Sequence, residues 1–126
     1  MNLPEDDVVF LATLGLAWNV TPENELSGFL EIEDFDVSGG GFTPSSTTLM
    51  IRIPALYNTT PLDMWFCDPP ITRNGQFPSQ ADVMETYLGR SWQRFSRHFP
   101  SGSWRPGVDG IRSIFRFIEQ ELQGKV

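Results

Sequence analysis

The chain has 126 residues and a net charge of −7, and 40% of its residues are apolar and 13% aromatic. This length supports a single domain, residues 1–126, and the apolar fraction excludes an intrinsically disordered chain. The longest apolar runs are too short to cross a bilayer, and acidic residues stand at the N-terminus where a secretory signal needs Lys or Arg. The sequence therefore predicts a soluble, cytoplasmic protein that does not enter a membrane.

Cysteine and histidine each occur once, as Cys67 and His98. An internal disulfide needs two cysteines, and a structural zinc site needs a cluster of Cys and His ligands. We therefore expect no disulfide, no metal site and no cofactor. Any catalysis has to use few titratable groups.

Charge is distributed unevenly along the sequence. Residues 1–51 hold nine acidic residues and no Lys or Arg, whereas residues 52–126 hold seven acidic and nine basic residues. Guanidinium groups suit carboxylates, phosphates and aromatic faces. The sequence therefore predicts a docking surface for an acidic or carboxylate-ended partner, formed by Arg90, Arg94, Arg97 and the neighbouring Trp92. The alternative is a solvated face with surface ion pairs.

A short helix is predicted near the N-terminus. Pro4 and the acidic residues after it favour a helix N-terminus, and Val8, Leu11 and Leu14 repeat at helical spacing up to Gly15. The glycine is a plausible helix end.

Four strands are predicted to follow as an antiparallel meander. Residues 16–20 form a brief hydrophobic run, residues 29–35 and 48–53 alternate apolar with polar side chains, and residues 64–67 are continuously apolar. The glycine-rich residues 38–46 are predicted to be a loop.

The second half of the chain is predicted to be irregular until a final helix. Residues 71–89 are expected to form a loop with a turn at Asn74-Gly75 and one short helix over 81–88, and the pattern of residues 91–99 leaves that segment unassigned. The C-terminal helix is expected to follow Trp104-Arg105-Pro106-Gly107 and to end at Gly124. Its inward stripe is Val108, Ile111, Phe115, Ile118 and Leu122. The fold class is α+β, with helices packed on one antiparallel sheet.

This order of elements resembles the fold of ubiquitin-conjugating enzymes. The matching features are Ile53-Pro54 with Tyr57 and Pro61, which resemble the family's proline-rich turn, and the Trp104-x-Pro106 motif before the last helix. Three segments are similar, more narrowly, to the bacterial branch called prokaryotic ubiquitin-conjugating family E, namely residues 63–69, 89–98 and 104–109. The resemblance implies an N-terminal helix, a four-stranded meander, a long irregular active-site region and a C-terminal helix.

The resemblance also implies a role in conjugating a ubiquitin-like protein. That protein is received from an adenylating activating enzyme, held as an acyl ester and passed to an amine of a protein substrate. In the family a His-Pro-Asn triplet precedes the nucleophilic cysteine, which lies eight residues before the tryptophan of Trp-x-Pro. In this chain Ser96 occupies that position relative to Trp104, and the triplet is absent.

Three side chains compete for the acyl-transfer chemistry. Ser96 has the expected position, and a serine nucleophile needs a neighbouring base. His98 supplies one if the segment is extended and both side chains share a face. Cys67 is the better nucleophile, but at the end of an apolar strand we expect it to be buried, with a raised pKa.

The sequence leaves three functional hypotheses. The first is an acyl carrier that uses Ser96 or, failing that, Cys67. The second is a catalytically inactive module that binds a ubiquitin-like protein or its activating enzyme. The third is single-stranded nucleic acid binding by the arginines and aromatics of residues 91–99, which the acidic first half disfavours because it repels phosphates.

Overall fold

The computed structural model describes residues 2–126 as an α+β fold with two α-helices packed on a mainly antiparallel sheet. The helices are α1 (Glu5–Ala12) and α2 (Ile111–Gln123). The strands are β1 (Trp18–Pro22), β2 (Gly28–Asp36), β3 (Phe42–Thr43), β4 (Ser46–Ile53), β5 (Trp65–Asp68), β6 (Thr72–Arg73), β7 (Val83–Tyr87) and β8 (Arg90–Phe95). Six strands form one sheet in the order β1-β2-β4-β5-β8-β7, and β3 pairs with β6.

The first half of the sheet follows the predicted alternation of side chains. In β2 and β4, Leu30 lies opposite Ile51 and Ile32 lies opposite Leu49, and all four are buried on the face that the helices cover. Because successive strand residues point to opposite faces, this register places the apolar set on one side. The strands predicted over residues 29–35, 48–53 and 64–67 are confirmed.

The region predicted to be loop and short helix contains a β-hairpin instead. β7 and β8 pair antiparallel, with Glu85 opposite Trp92, so the helix predicted over 81–88 is wrong and most of the unassigned segment is a strand. The sheet has six strands rather than four. Leu88 and Gly89 form the hairpin turn with φ angles of +58° and +70°, and a leucine is an unusual residue for the first of these positions.

A buried glutamine joins this hairpin to the loop before it. The Gln93 side chain accepts a hydrogen bond from the Ile71 N–H at 2.8 Å and donates to the carbonyls of Ile71 at 3.0 Å and Ala81 at 2.9 Å. Each polar atom of the amide is therefore satisfied inside the core. The region predicted to be long and irregular is in part fixed to the sheet.

Helix α2 covers the buried face of the sheet. Its residues Ile111, Phe115, Ile118 and Leu122 are buried as predicted, and the Phe115 ring meets the rings of Phe10 and Phe35 edge-on at 5.2 and 5.9 Å. Gly124 ends the helix in the left-handed conformation. The C-terminal helix and its stripe are confirmed from Ile111 onward.

The prediction that Val108 is the first buried residue of that stripe is wrong. Val108 is 67% exposed, because residues 105–109 close a separate turn ahead of the helix. The Asp109 carboxylate accepts hydrogen bonds from the Arg105 backbone N–H at 2.7 Å and from the Ser113 hydroxyl at 2.9 Å. The helix starts only after this turn.

A glycine-rich turn holds the other end of α2. A 3₁₀ turn spans Ser38–Gly40, and a Cβ atom on Gly39 would lie 2.6 Å from the carbonyl oxygen of Gln123. A Cβ atom on Gly40 would collide with the carbonyl oxygen of Leu122. Only residues without side chains permit this close approach of loop and helix.

The opposite face of the sheet carries a smaller apolar cluster, which we call the open-face cluster. It consists of Phe29, Met50, Phe66 and Trp92, with Met64, Tyr87 and Leu88 packed against it. No helix within residues 2–126 is long and apolar enough to span a bilayer.

Candidate functional site

A cleft of about 810 Å³ lies beside β5, and we call it the main cleft. Residues of the segments 53–64 and 98–106 form two of its walls, and Arg52, Tyr87 and Arg94 contribute from the open face of the sheet. A cleft of this size accommodates a drug-sized molecule or a short polypeptide segment.

Hydrogen bonds between distant parts of the chain fix one wall of the main cleft. The Tyr57 hydroxyl donates to the Asp7 carboxylate at 2.6 Å, and the Asn58 carbonyl accepts from the Trp104 indole N–H at 2.9 Å. Burial, together with the Asp7 carboxylate, raises the pKa of Tyr57, so that its phenol stays protonated and remains a donor. The loop after β4 is therefore anchored both to α1 and to the loop before α2.

A second cavity of about 340 Å³, the small cavity, lies between α2 and the segment after β8. Asp63, His98 and Phe99 line both cavities. These three residues therefore form a wall between the main cleft and the small cavity.

The imidazole of His98 is paired with a carboxylate in this wall. His98 Nδ1 lies 3.1 Å from Asp63 Oδ2, and the two side chains are 55% and 54% exposed. Within residues 2–126 this is the imidazole's one side-chain hydrogen bond. Sequence reasoning missed Asp63, because it precedes the histidine by 35 positions and no local pattern joins the two.

Ser96 lies outside the wall that Asp63, His98 and Phe99 form. It follows β8, is half-buried, and its backbone N–H donates to the Gln80 carbonyl at 3.0 Å. Its carbonyl accepts a hydrogen bond from Arg97 Nη1 at 3.1 Å. Among the described residues, the Ser96 hydroxyl forms no hydrogen bond with His98, and Ser96 lines neither of the two cavities. The predicted nucleophile and base are therefore not joined in one cavity.

Cys67 is fully buried, as expected. It lies in β5 opposite Leu49 on one side and Gln93 on the other, and its exposed fraction is 0%. Burial raises the pKa of the thiol, and a hydrogen bond with Thr47 opposes this only in part. A neutral, covered thiol is a poor nucleophile.

The three arginines predicted to form a docking surface are all ion-paired within the chain. Arg90 lies 2.8 Å from Asp68 and 3.2 Å from Glu31. The other pairs are Arg94 with Glu85 at 2.6 Å and Arg97 with Glu121 through two bonds of 2.7 Å. This arrangement corresponds to the alternative to a docking surface, a solvated face with surface ion pairs.

Trp92 is fully buried in the open-face cluster. Its indole N–H donates to the Tyr87 carbonyl at 2.9 Å, so it has neither surface nor a free donor to offer a partner. Among residues 2–126, no group of three or more His, Cys, Asp and Glu side chains is arranged to hold a metal ion.

The α+β fold, with its main cleft beside β5, is consistent with a ubiquitin-conjugating-like domain. Residues 3–125 match the model of the family described as Prokaryotic E2 family E, and the chain belongs to that family. It is therefore a ubiquitin-conjugating-like protein, as the resemblance implied, and a ubiquitin-like protein is the class of partner that such a family indicates. No curated protein and no solved structure matches the chain significantly.

Proposed function

We propose that the protein binds a ubiquitin-like protein in the main cleft and does not carry it as an acyl ester. The observation that supports this most directly is where the candidate nucleophiles lie. Neither Ser96 nor Cys67 lines the main cleft, and an acyl carrier needs an exposed nucleophile with a base in hydrogen-bond reach.

The lining of the main cleft suits the binding of a polypeptide segment. Its apolar contributors include Met64, Phe66, Phe99 and Trp104. At the sheet end, the cations are balanced by acids, since Arg52 pairs with Glu23 at 3.4 Å and Arg94 pairs with Glu85. An apolar centre with a paired, polar rim is the usual composition of a protein-binding surface.

A reconstitution experiment separates binding from transfer. The chain is incubated with its cognate activating enzyme, its ubiquitin-like protein and ATP, and analysed by denaturing electrophoresis for a covalent adduct. We expect no adduct, while calorimetry detects binding of the ubiquitin-like protein. The Ser96→Ala and Cys67→Ala variants are expected to bind as the parent chain does.

An adduct that hydroxylamine cleaves, that thiols leave intact and that disappears in Ser96→Ala would overturn this proposal in favour of the acyl carrier. Binding of the activating enzyme without binding of the ubiquitin-like protein would also overturn it, and would leave the activating enzyme as the partner of the module.

A matched pair of substitutions locates the binding site. Thr59 is exposed and lines the main cleft, whereas Thr86 is also exposed but lies on β7 and lines neither cavity. Thr59→Arg places a bulky cation in the cleft, and we expect it to weaken binding about tenfold, roughly 1.4 kcal/mol. Thr86→Arg is expected to bind normally. Equal affinity of the two variants would contradict the main cleft as the site.

A further inference from the structure

Two buried hydrogen-bond donors within residues 2–126 have no acceptor, namely Arg94 Nε, on a side chain already paired with Glu85, and the indole nitrogen of Trp65. Of three tryptophans that are at least nine-tenths buried, Trp92 and Trp104 donate their indole N–H groups to backbone carbonyls at 2.9 Å. Trp65 is 1% exposed, and its Nε1 has no partner within residues 2–126. An unsatisfied buried donor costs about 1–3 kcal/mol, so the position of this indole calls for an explanation.

Trp65 lines the small cavity. The other apolar walls are Phe99, Ile114 and Phe117, and the nearby polar groups of Arg97 and Glu121 are engaged with each other. The lining of the small cavity therefore has four apolar side chains, one of them the tryptophan whose indole N–H lacks an acceptor, and also includes Asp63, His98 and Gln120 beside the Arg97–Glu121 pair. Pockets that bind specific ligands usually have this composition, a mainly apolar lining with a few placed polar groups.

The small cavity adjoins the main cleft. Because Asp63, His98 and Phe99 line both, a polypeptide segment in the main cleft lies one side chain away from the small cavity. Such a segment carries one backbone carbonyl per residue, which is the acceptor that the Trp65 donor lacks.

We infer that the small cavity takes an apolar side chain of the segment bound in the main cleft, and that a backbone carbonyl of that segment accepts a hydrogen bond from Trp65 Nε1. This inference rests on the function proposed above. The indole nitrogen is covered in the unbound chain, so entry requires a neighbouring ring to move. Phe117 is suited to this because it is 40% exposed.

Capped amino acids test the small cavity without any partner protein. In ¹H–¹⁵N spectra, N-acetyl-leucinamide should shift the Trp65 indole signal saturably, with that signal assigned by its loss in Trp65→Phe. The indole signal of Trp92 serves as the internal control and should stay in place, since Trp92 belongs to the open-face cluster and lines neither cavity. N-acetyl-glycinamide has the carbonyls without the apolar side chain and should have little effect. An unmoved Trp65 signal, or an equal shift with both probes, would overturn the inference.

A second pair of variants connects the small cavity to partner binding. Gln120 is exposed and lines the small cavity, whereas Gln76 is exposed and lines neither cavity. Gln120→Trp should obstruct the opening, abolish the leucinamide shift and weaken binding of the ubiquitin-like protein about threefold to tenfold. Gln76→Trp should do neither. Normal partner affinity in Gln120→Trp would contradict the inference.

The two proposals fail in different ways. If Thr59→Arg weakens partner binding but N-acetyl-leucinamide leaves Trp65 unmoved, the inference about the small cavity fails and the proposed function stands. If the probe binds while the ubiquitin-like protein does not, the proposed function fails, and the small cavity loses its inferred role in partner binding.

Discussion

The two faces of the sheet bury their apolar side chains by different means. On one face, Leu30, Ile51 and Phe95 lie in a core that the apolar sides of α1 and α2 complete. On the other face, no helix within residues 2–126 covers the open-face cluster, and arginine side chains cover it in part. The Arg90 guanidinium carbon lies 4.4 Å from the centre of the Trp92 ring, and that of Arg52 lies 4.8 Å from the centre of the Tyr87 ring.

This difference shows how an acidic chain covers an apolar surface without a third layer. The guanidinium groups of Arg52 and Arg90 lie over aromatic rings, while both side chains remain partly exposed to solvent. Acids from the first half of the chain, Glu23 and Glu31, pair with Arg52 and Arg90 across the sheet. One face therefore depends mainly on the hydrophobic effect, while the other also depends on charge, and the two should respond differently to salt and pH.

The largest effect is expected on the helix-covered face. Phe115→Ala removes a fully buried ring that touches Phe10 and Phe35, and should lower the free energy of unfolding by about 3–5 kcal/mol. Urea unfolding measures this, and the loss should be nearly the same at low and high salt. Phe117→Ala, on the same helix but 40% exposed, should cost less than half as much. Similar losses in both variants would show that α2 does not pack on this face as described.

An intermediate effect is expected on the open face. Arg90→Gln removes two ion pairs and the contact with Trp92, and should cost about 1–2 kcal/mol at low ionic strength. The cost should shrink clearly in about 1 M salt, where charges are screened beyond about 3 Å. Arg116→Gln is the control, since Arg116 is exposed and has no ion pair within residues 2–126. If salt left this cost unchanged, Arg90 would stabilise the protein through packing, as side chains on the helix-covered face do, rather than through charge.

The smallest effect is expected from pH. Hydrogen bonding to Tyr87, together with Arg94, holds the pKa of Glu85 below its ordinary value of 4.5. Because the folded-state pKa is lowered, this stabilisation is complete above about pH 4.5 and is lost as the pH falls through the lowered value. Glu85→Gln should therefore cost about 0.5–1 kcal/mol at neutral pH and nothing once the wild-type carboxyl is protonated.

Unfolding of Glu85→Gln and the parent chain across this pH range checks the prediction. Glu33→Gln is the control, because Glu33 is exposed and unpaired among the described residues. A stability difference that persists unchanged in acid would mean that Glu85 contributes through packing rather than charge.

Sequence patterns predicted the elements whose side chains alternate or repeat locally. In β2, β4 and α2, the side chains that face the helix-covered core follow periods of two or 3.6. The β7–β8 hairpin escaped prediction because its turn uses Leu88 rather than asparagine, and because Gln93 is buried with partners more than ten positions away. By contrast, the predicted turn at Asn74-Gly75 is present, with both residues at positive φ.

The candidate site was less accessible to sequence reasoning than the fold. The burial of Cys67 followed from its apolar neighbours, but the pairing of His98 with Asp63 depends on how two loops meet. The wall of the main cleft likewise depends on long-range bonds from Tyr57 to α1 and from Trp104 to Asn58. The family resemblance located the region, whereas only the folded structure shows that neither Ser96 nor Cys67 lines the main cleft.

The glycine turn behind α2 has a consequence for recognition at a distance. Gly39 and Gly40 let the last turn of the helix rest directly against backbone, and the same helix supplies Ile114 and Phe117 to the small cavity. A methyl group at either glycine would collide with the last turn of α2 and push the C-terminal end of the helix away from the turn. The position of α2, and with it the width of the small cavity, would then depend on Gly39 and Gly40, which do not line that cavity.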